Sequence, residues 1–195
     1  MAERINPENP TTRPSYWQHY VVYEYALPYV TDKIVLDAGC GEGYGTYLLA
    51  QSAQKIIGVD YAKKVIKKAA SKYRKPNLTY KVMDLTNLFY EDSSFDIICC
   101  FQVIEHLRHP ERFLLIAQRI LKPSGMLLLS TPNRLTSAFD WPYHFREYTV
   151  QELTELLERF FPFVKLNALH VSKEMKTFRA IQAQSGERVL QFAPF

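Results

Sequence analysis

Short apolar runs alternate along the chain with stretches whose apolar positions recur at helical spacing. The run at 33–38 (KIVLDA) has the length and continuity of a buried strand, and 45–53 (GTYLLAQSA) reads as the helix after it. A second strand is expected at 55–60 (KIIGVD) and a second helix at 62–73, with Val65, Ile66, Ala69, Ala70 and Tyr73 on one side. Pro76 marks off a third strand at 77–84 (NLTYKVMD). The run at 95–102 (FDIICCFQ) is too continuously apolar for a half-exposed strand, so it belongs at the centre of a sheet covered on both faces. A helix at 110–121 starts with Pro110, where the missing N–H is tolerated, and the turn at 122–125 (KPSG) delivers a fifth strand at 126–132. Beyond a Pro- and aromatic-rich loop at 132–148, a helix over 149–160 has Thr149 as N-cap and Glu152 at the capping-box position. Two last strands, near 162–171 and 176–184, have little helical pattern between them and predict an antiparallel hairpin at one sheet edge.

This alternation predicts an α/β fold: a doubly wound, mostly parallel sheet with right-handed crossovers and a ligand crevice at the carboxyl ends of the strands. The positions to watch are 37–45, Asp60, 84–85, 101–106 and 131–133. A chain of 195 residues with 47% hydrophobic content supports one substantial core and not two, so a single domain is expected over 1–195. Its core runs over 31–184, with a tail at 185–195. The aromatic segment at 14–30 (PSYWQHYVVYEYALPYV) precedes the alternation and reads as an amphipathic helix.

Charge changes this picture little. The formal net charge is +4, and the lysines and arginines gather at 61–75, alternating with apolar residues as on a solvated helix face. No nucleic-acid partner is expected from it. No apolar segment reaches the ~18 residues of a membrane span, and 1–17 lacks the apolar core of a secretory signal, so a cytoplasmic protein without membrane contact is expected. Three cysteines, with Cys99 and Cys100 adjacent in an apolar run and no C-x-x-C spacing, fit reduced packed thiols better than disulfides or zinc.

The candidate chemistry begins at 35–50 (VLDAGCGEGYGTYLLA), where Gly39, Gly41, Gly43 and Gly45 occupy every second position. A P-loop needs a lysine that reaches phosphate, and no lysine or arginine lies between Lys33 and Lys55. A dinucleotide fingerprint counted from Gly39 needs a third glycine where Tyr44 stands, and Glu42 puts a carboxylate in the pyrophosphate's place. The remaining reading is a phosphate-free, cationic adenosine derivative beside Asp37 and Glu42. Asp60, closing the second strand, is placed for ribose hydroxyls, and Asp84, ending the third, for the adenine amino group. The alternative is that each aspartate caps the turn after it.

These stretches, with GVD, VMDL, FDIICCFQVIEHL and RILKPSGMLLLSTPN, resemble in order and spacing the motifs of class I S-adenosylmethionine-dependent methyltransferases over about 30–182. The resemblance implies a Rossmann-like, seven-stranded sheet with the last strand antiparallel, and S-adenosylmethionine as cofactor with S-adenosylhomocysteine as product. It places Asp37, Gly39, Cys40 and Gly41 around the methionine moiety, Asp60 and Tyr61 at the ribose, Asp84 and Leu85 at the adenine, and Phe101 or Gln102 beside the sulfonium. It also implies that 1–30 forms a helical cap over the active site, with Tyr16, Trp17, His19 and Tyr20 reaching the ligands, whereas Tyr23 and Tyr25 fit packing on the sheet.

Methyl transfer from a sulfonium needs a positioned nucleophile, and a hydroxyl nucleophile also needs a base. His106 is the first candidate, with Glu105 orienting its neighbours; His144 and Glu147 are the second, and Glu147 and Asn133, just after the fifth strand, are expected to contact the acceptor. Alternatively Glu105 and His106 cap the helix at 110 and His144 ties its loop. The HFREYT loop at 144–149 resembles small-molecule methyltransferases of sugar, quinone or secondary-metabolite pathways, which implies a small-molecule O-acceptor. A second branch methylates small RNA 3′ ends with a metal on two glutamates and two histidines. Here Gln102 stands in the first glutamate's place, so no metal is assigned. A catalytically idle cofactor-binding fold is the third reading, and the oligomeric state is left open, a homodimer included.

Overall fold

The computed structural model describes residues 13–137 and 143–168. Helix α1 (Arg13–Val30) leads into β1 (Ile34–Ala38), α2 (Tyr44–Leu49), β2 (Lys55–Asp60), α3 (Lys63–Lys72), β3 (Leu78–Val82), β4 (Phe95–Phe101), α4 (Pro110–Ile120), β5 (Leu121–Ser130) and α5 (Val150–Glu158). Short 3-10 turns follow β3 at Leu85–Asn87 and β4 at Ile104–His106. The strands form one parallel sheet in the order β3-β2-β1-β4-β5. The order reverses between β1 and β4, which opens the crevice of a doubly wound sheet at their carboxyl ends.

Period-two alternation sends successive residues of each central strand to opposite faces. On one face Tyr23, Ala26 and Val30 of α1, Leu49 of α2 and Ala50 just after it pack against Val35, Ile56, Ile97, Cys99 and Phe101. On the other, Phe113, Leu114 and Ala117 of α4 and Leu153, Leu156 and Leu157 of α5 pack against Leu36, Ala38, Ile57, Ile98 and Cys100. β4 is therefore covered on both sides, as its unbroken apolar run requires. Its two cysteines and Cys40 are buried free thiols, and burial pushes all three well above the ordinary thiol value. The lysines of α3 are exposed, with Lys68 paired to Glu42 at 2.6 Å.

Several elements differ from expectation. α2 ends at Leu49, short of 53. β5 begins at Leu121, because Phe95 pairs with Leu121 and Ile97 with Met126, so that 122–125 bulges out opposite Asp96. The KPSG turn is thus held inside the strand, where Lys122 Nζ lies 2.8 Å from the Asp96 carboxylate. Finally, 162–168 carries no strand pairing. The rest of the expected hairpin at 169–184, the tail at 185–195, residues 1–12 and 138–142 of the loop lie outside the described residues. The capping box on α5 is as expected: Glu152 N donates to Thr149 Oγ1 at 3.2 Å and Thr149 N to Glu152 Oε2 at 2.8 Å.

Candidate active site

The glycine loop leaves β1 and turns into α2 through three positive φ angles, 85° at Gly39, 50° at Gly41 and 82° at Gly43. A Cβ on Gly39 would fall 2.4 Å from Val103 Cγ2, one on Gly43 would meet Ala69 and Tyr80, and one on Gly45 would enter the Tyr23 ring. Gly41 alone of these faces open space, with nothing within 4 Å of a Cβ. The loop is therefore glycine-rich mostly for the protein's own packing, and its free surface for a ligand is at Gly41. Glu42, expected beside the ligand, instead pairs with Lys68 of α3.

Asp37 is the penultimate residue of β1, with no exposed surface, on the α1 and α2 face. Thr46 Oγ1 donates to it at 2.6 Å and the Tyr23 hydroxyl at 3.3 Å. Burial lifts its pKa to about 7 against the pull of those two donors, with the nearby Asp60 charge adding to the rise. Asp60 closes β2, where its Oδ1 accepts from Ala62 N at 2.8 Å. Asp84 follows β3, and its Oδ1 accepts from Thr86 N and Thr86 Oγ1, both at 2.8 Å. Both aspartates thus perform the turn-capping role that was the alternative to ligand contact. Gln102, just beyond β4, holds an unusual φ of 55°; its N donates to Ser130 O at 2.8 Å and its Nε2 to Ser130 Oγ at 3.2 Å. A non-glycine residue in this region is strained, and strain of this kind concentrates at functional sites.

Beyond Gln102, the turn at Ile104–His106 and the loop before α5 bring side chains together. Glu105 is 1% exposed and Thr131 Oγ1 donates to its Oε2 at 3.0 Å. Its carbonyl accepts from Phe145 N at 2.8 Å, which ties the 143–148 segment to the turn. The rings of His106 and His144 lie edge to face at 4.8 Å. His106 Nδ1 is 3.0 Å from the Tyr143 carbonyl, and His144 Nδ1 is 2.7 Å from Glu147 Oε1. Since a carbonyl and a carboxylate accept, each Nδ1 carries the hydrogen and the lone pair falls to Nε2 when the ring is neutral. Burial lowers the pKa of His106, opposed by the Tyr143 carbonyl and reinforced by His144. On α1, burial and then His106 lower His19 to about 4, which puts His19 in the same electrostatic neighbourhood. One donor atom each from Glu105, His106 and His144 lie within 4.8 Å of one another.

Residues 36–129 match the family described as a methyltransferase domain. Over 150 residues the chain is 41% identical to a probable S-adenosylmethionine-dependent methyltransferase of Mycobacterium tuberculosis, covering 73% of this chain and 54% of that one. The chain belongs to the class I S-adenosylmethionine-dependent methyltransferases. It is also 30% identical over 139 residues to a ubiquinone biosynthesis O-methyltransferase of Coxiella burnetii, covering 70% of this chain and 59% of the relative. It thus spans little more than half the length of these curated relatives. The fold matches a Haemonchus contortus phosphoethanolamine N-methyltransferase 1 solved with phosphoethanolamine and S-adenosylhomocysteine, with a TM-score of 0.62, 24% identity, and 75% of this chain and 34% of that chain covered.

Asp37, Gly39, Cys40, Gly41, Asp60, Asp84, Leu85, Phe101 and Gln102 all fall at the carboxyl ends of β1 to β4 or in the segments leaving them. Tyr61 follows Asp60 and is exposed, whereas Leu85 is buried. Phe101 turns its ring onto Tyr23, with centroids 4.9 Å apart. Of the expected acceptor residues, Tyr16 packs on Tyr20 and on Tyr44 of the glycine loop, with centroids 5.6 and 4.9 Å apart. The Trp17 side chain lies outside the described part of α1. Asn133 spends its Oδ1 on Leu135 N at 3.0 Å, inside its own turn. Tyr23 is buried as expected, but Tyr25 is 53% exposed and meets Tyr29 rather than the sheet.

Sequence reasoning missed the residues that hold the site from behind: Tyr23 and Thr46 on Asp37, Val103 on Gly39, Thr131 on Glu105, and Tyr80. The Tyr80 hydroxyl donates to the Gly43 carbonyl at 2.7 Å, and its ring lies over Gly58, its partner across β2 and β3. A glycine inside an apolar strand was the available signal, since it marks a close approach by another group.

Proposed function

We propose that the chain transfers a methyl group from S-adenosylmethionine to an oxygen of a small-molecule acceptor, such as a sugar, quinone or secondary metabolite. When bound, the cofactor supplies a sulfonium methyl that an oxygen nucleophile displaces in line, the C–S electron pair remaining on sulfur. The chain's own part is to hold the cofactor at Gly41, Asp60 and the Gln102 turn, and to receive the acceptor under α1. The observation that carries the choice of oxygen is the cluster of Glu105, His106 and His144 just beyond β4, where two imidazoles with fixed tautomers sit beside a buried carboxylate. A sulfur or carbon nucleophile with a low pKa has less need of such a centre, whereas a hydroxyl needs its proton removed. The similarity to an O-methyltransferase of ubiquinone biosynthesis points the same way.

The test is to incubate the protein with methyl-labelled S-adenosylmethionine and the small-molecule fraction of a cell extract, then to treat the labelled product chemically to distinguish O-, N- and C-methyl groups. An O-linked label that falls at least 100-fold with His106→Ala is expected. Label found on nitrogen, or on RNA and not on any small molecule, overturns this reading.

A further inference from the structure

One stretch of the chain holds most of its excess charge. Residues 61–83 contain seven lysines and one arginine and no acid, although the whole chain is only +4, so the remainder is net acidic. These residues form α3 and β3, which pack on each other and make the outer flank of the described sheet beyond β2. α3 turns Ile66 and Ala69 inward, and its other side carries Lys63, Lys64 and Lys67, all exposed and without a carboxylate partner among the described residues. Lys68 beside them is taken by Glu42. On β3, Lys81 and Val82 are exposed, Val82 by 48%. Past the 3-10 turn that follows, Phe89 is 76% exposed, and the next residue, Tyr90, lies under the Lys81 ammonium at 5.6 Å, which holds this segment beside β3. Of the acids nearby, Asp84 accepts from Thr86 and Asp92 pairs with Arg119, while Glu91 faces solvent.

A row of lysines alone is the ordinary solvated face of a helix, and a lysine on an edge strand guards against pairing with another sheet. Neither accounts for Phe89 and Val82 beside them. We propose that this flank docks the chain onto an anionic lipid bilayer. Lysines spread over a surface are drawn to anionic headgroups without needing a fixed arrangement, and an exposed aromatic ring and an aliphatic side chain among them gain by leaving water for the interface. Seven lysines to one arginine fit this partner better than a nucleic acid, whose phosphates favour the arginine fork. α3 starts where β2 ends, and Val82 ends β3, so Lys63, Lys64 and Val82 stand at the carboxyl ends of the strands, where the crevice opens. Docking therefore brings the crevice rim to the bilayer, and an acceptor dissolved in the lipid reaches it without crossing water. That last consequence rests on the methyl-transfer reading; the docking surface does not. The expectation of no membrane contact rests on the lack of a spanning segment and of a secretory signal, and a peripheral contact needs neither.

Co-sedimentation of the protein with vesicles of phosphatidylcholine, alone or mixed with phosphatidylglycerol, tests the surface. Binding to the mixed vesicles only is expected, weakening as salt is raised. Each lysine near such a surface contributes about fivefold in affinity, so Lys63→Ala, Lys64→Ala and Lys67→Ala together should lower it about 100-fold. Phe89→Ala should lower it about tenfold, and should do so at high salt as well. Lys33→Ala, Lys55→Ala and Lys165→Ala remove the same charge from exposed positions elsewhere, and should cost less than about threefold, since charges more than a Debye length away are screened. All of these side chains are exposed, and thermal melting of each variant reports that it is folded. Equal binding to both kinds of vesicle, binding to neither, an equal loss in the control triple, or tighter binding to a single-stranded RNA at the same phosphate concentration overturns the proposal. Vesicle binding with methyl transfer confined to water-soluble acceptors supports the surface and overturns the lipid-borne acceptor. Methyl transfer to such an acceptor by a protein that ignores both kinds of vesicle overturns the surface and leaves the functional reading standing.

Discussion

At Gly39 and Gly41 two residues of one loop, two positions apart, are glycine for different reasons. A methyl on Gly39 meets Val103 at 2.4 Å, and Val103 belongs to the turn that carries Glu105 and His106. Gly39→Ala therefore combines a clash with a positive φ of 85°, and a loss of about 2 to 4 kcal/mol of stability is expected. Gly41→Ala has open space and a φ of 50°, so the backbone cost alone applies, about 1 kcal/mol. Urea midpoints should rank the variants in that order. The affinity for S-adenosylhomocysteine should nonetheless fall by tenfold or more in Gly41→Ala, because its methyl enters the ligand's space. Undiminished affinity in Gly41→Ala sinks the assignment of that open face to the cofactor. The alternating glycines were visible in sequence, but their reasons were not. Val103, Tyr80 and Tyr23 reach them from other elements, and local spacing carries no record of such contacts. That Asp60 and Asp84 stand at strand ends follows from topology and so was legible, and so was the turn-capping alternative that their hydrogen bonds show.

At the scale of elements, α1 is joined to the sheet through a titratable contact. Tyr23 packs in the groove left by Gly45 and against Phe101, and its hydroxyl reaches the Asp37 carboxylate at the end of β1. Burial holds the folded-state pKa of Asp37 at about 7, above the ordinary 3.8. A carboxyl raised in this way contributes stability below pH 4 that is lost as pH climbs through 7, because the unfolded chain ionises it freely and the fold does not. The urea midpoint should therefore fall between pH 5 and pH 8, and Asp37→Asn, which cannot ionise, should fall by distinctly less. Equal slopes in the two proteins would mean that another group governs this window. Secondary structure itself was largely legible, since β4's apolar run, Pro110 at the start of α4 and the Thr149 capping box are local signals. The start of β5 was not, because a turn held within a parallel pair shows itself only through the register of β4 against β5.

The strand order of the whole sheet decides where chemistry is possible. With β1 and β4 adjacent and their neighbours running outward on either side, the ends of β1, β2 and β4 open onto one crevice, and the histidine cluster stands at its β4 side. The chain covers little more than half of its curated relatives' length, yet the strands that carry the expected cofactor residues are all present. This unit should therefore bind S-adenosylhomocysteine by itself. A ligand at 100 times its Kd stabilises by about 2.7 kcal/mol, and for a domain of this size that raises Tm by roughly 5 to 10 °C. Asp60→Ala should remove most of that shift. Its Oδ1 also accepts from Ala62 N ahead of α3, so the substitution lowers the ligand-free Tm as well. The two effects separate when each protein is compared with its own ligand-free Tm. A lowered baseline with the ligand-induced rise intact would leave Asp60 holding the turn before α3 alone, while a rise of less than about 2 °C over its own baseline ties Asp60 to the cofactor.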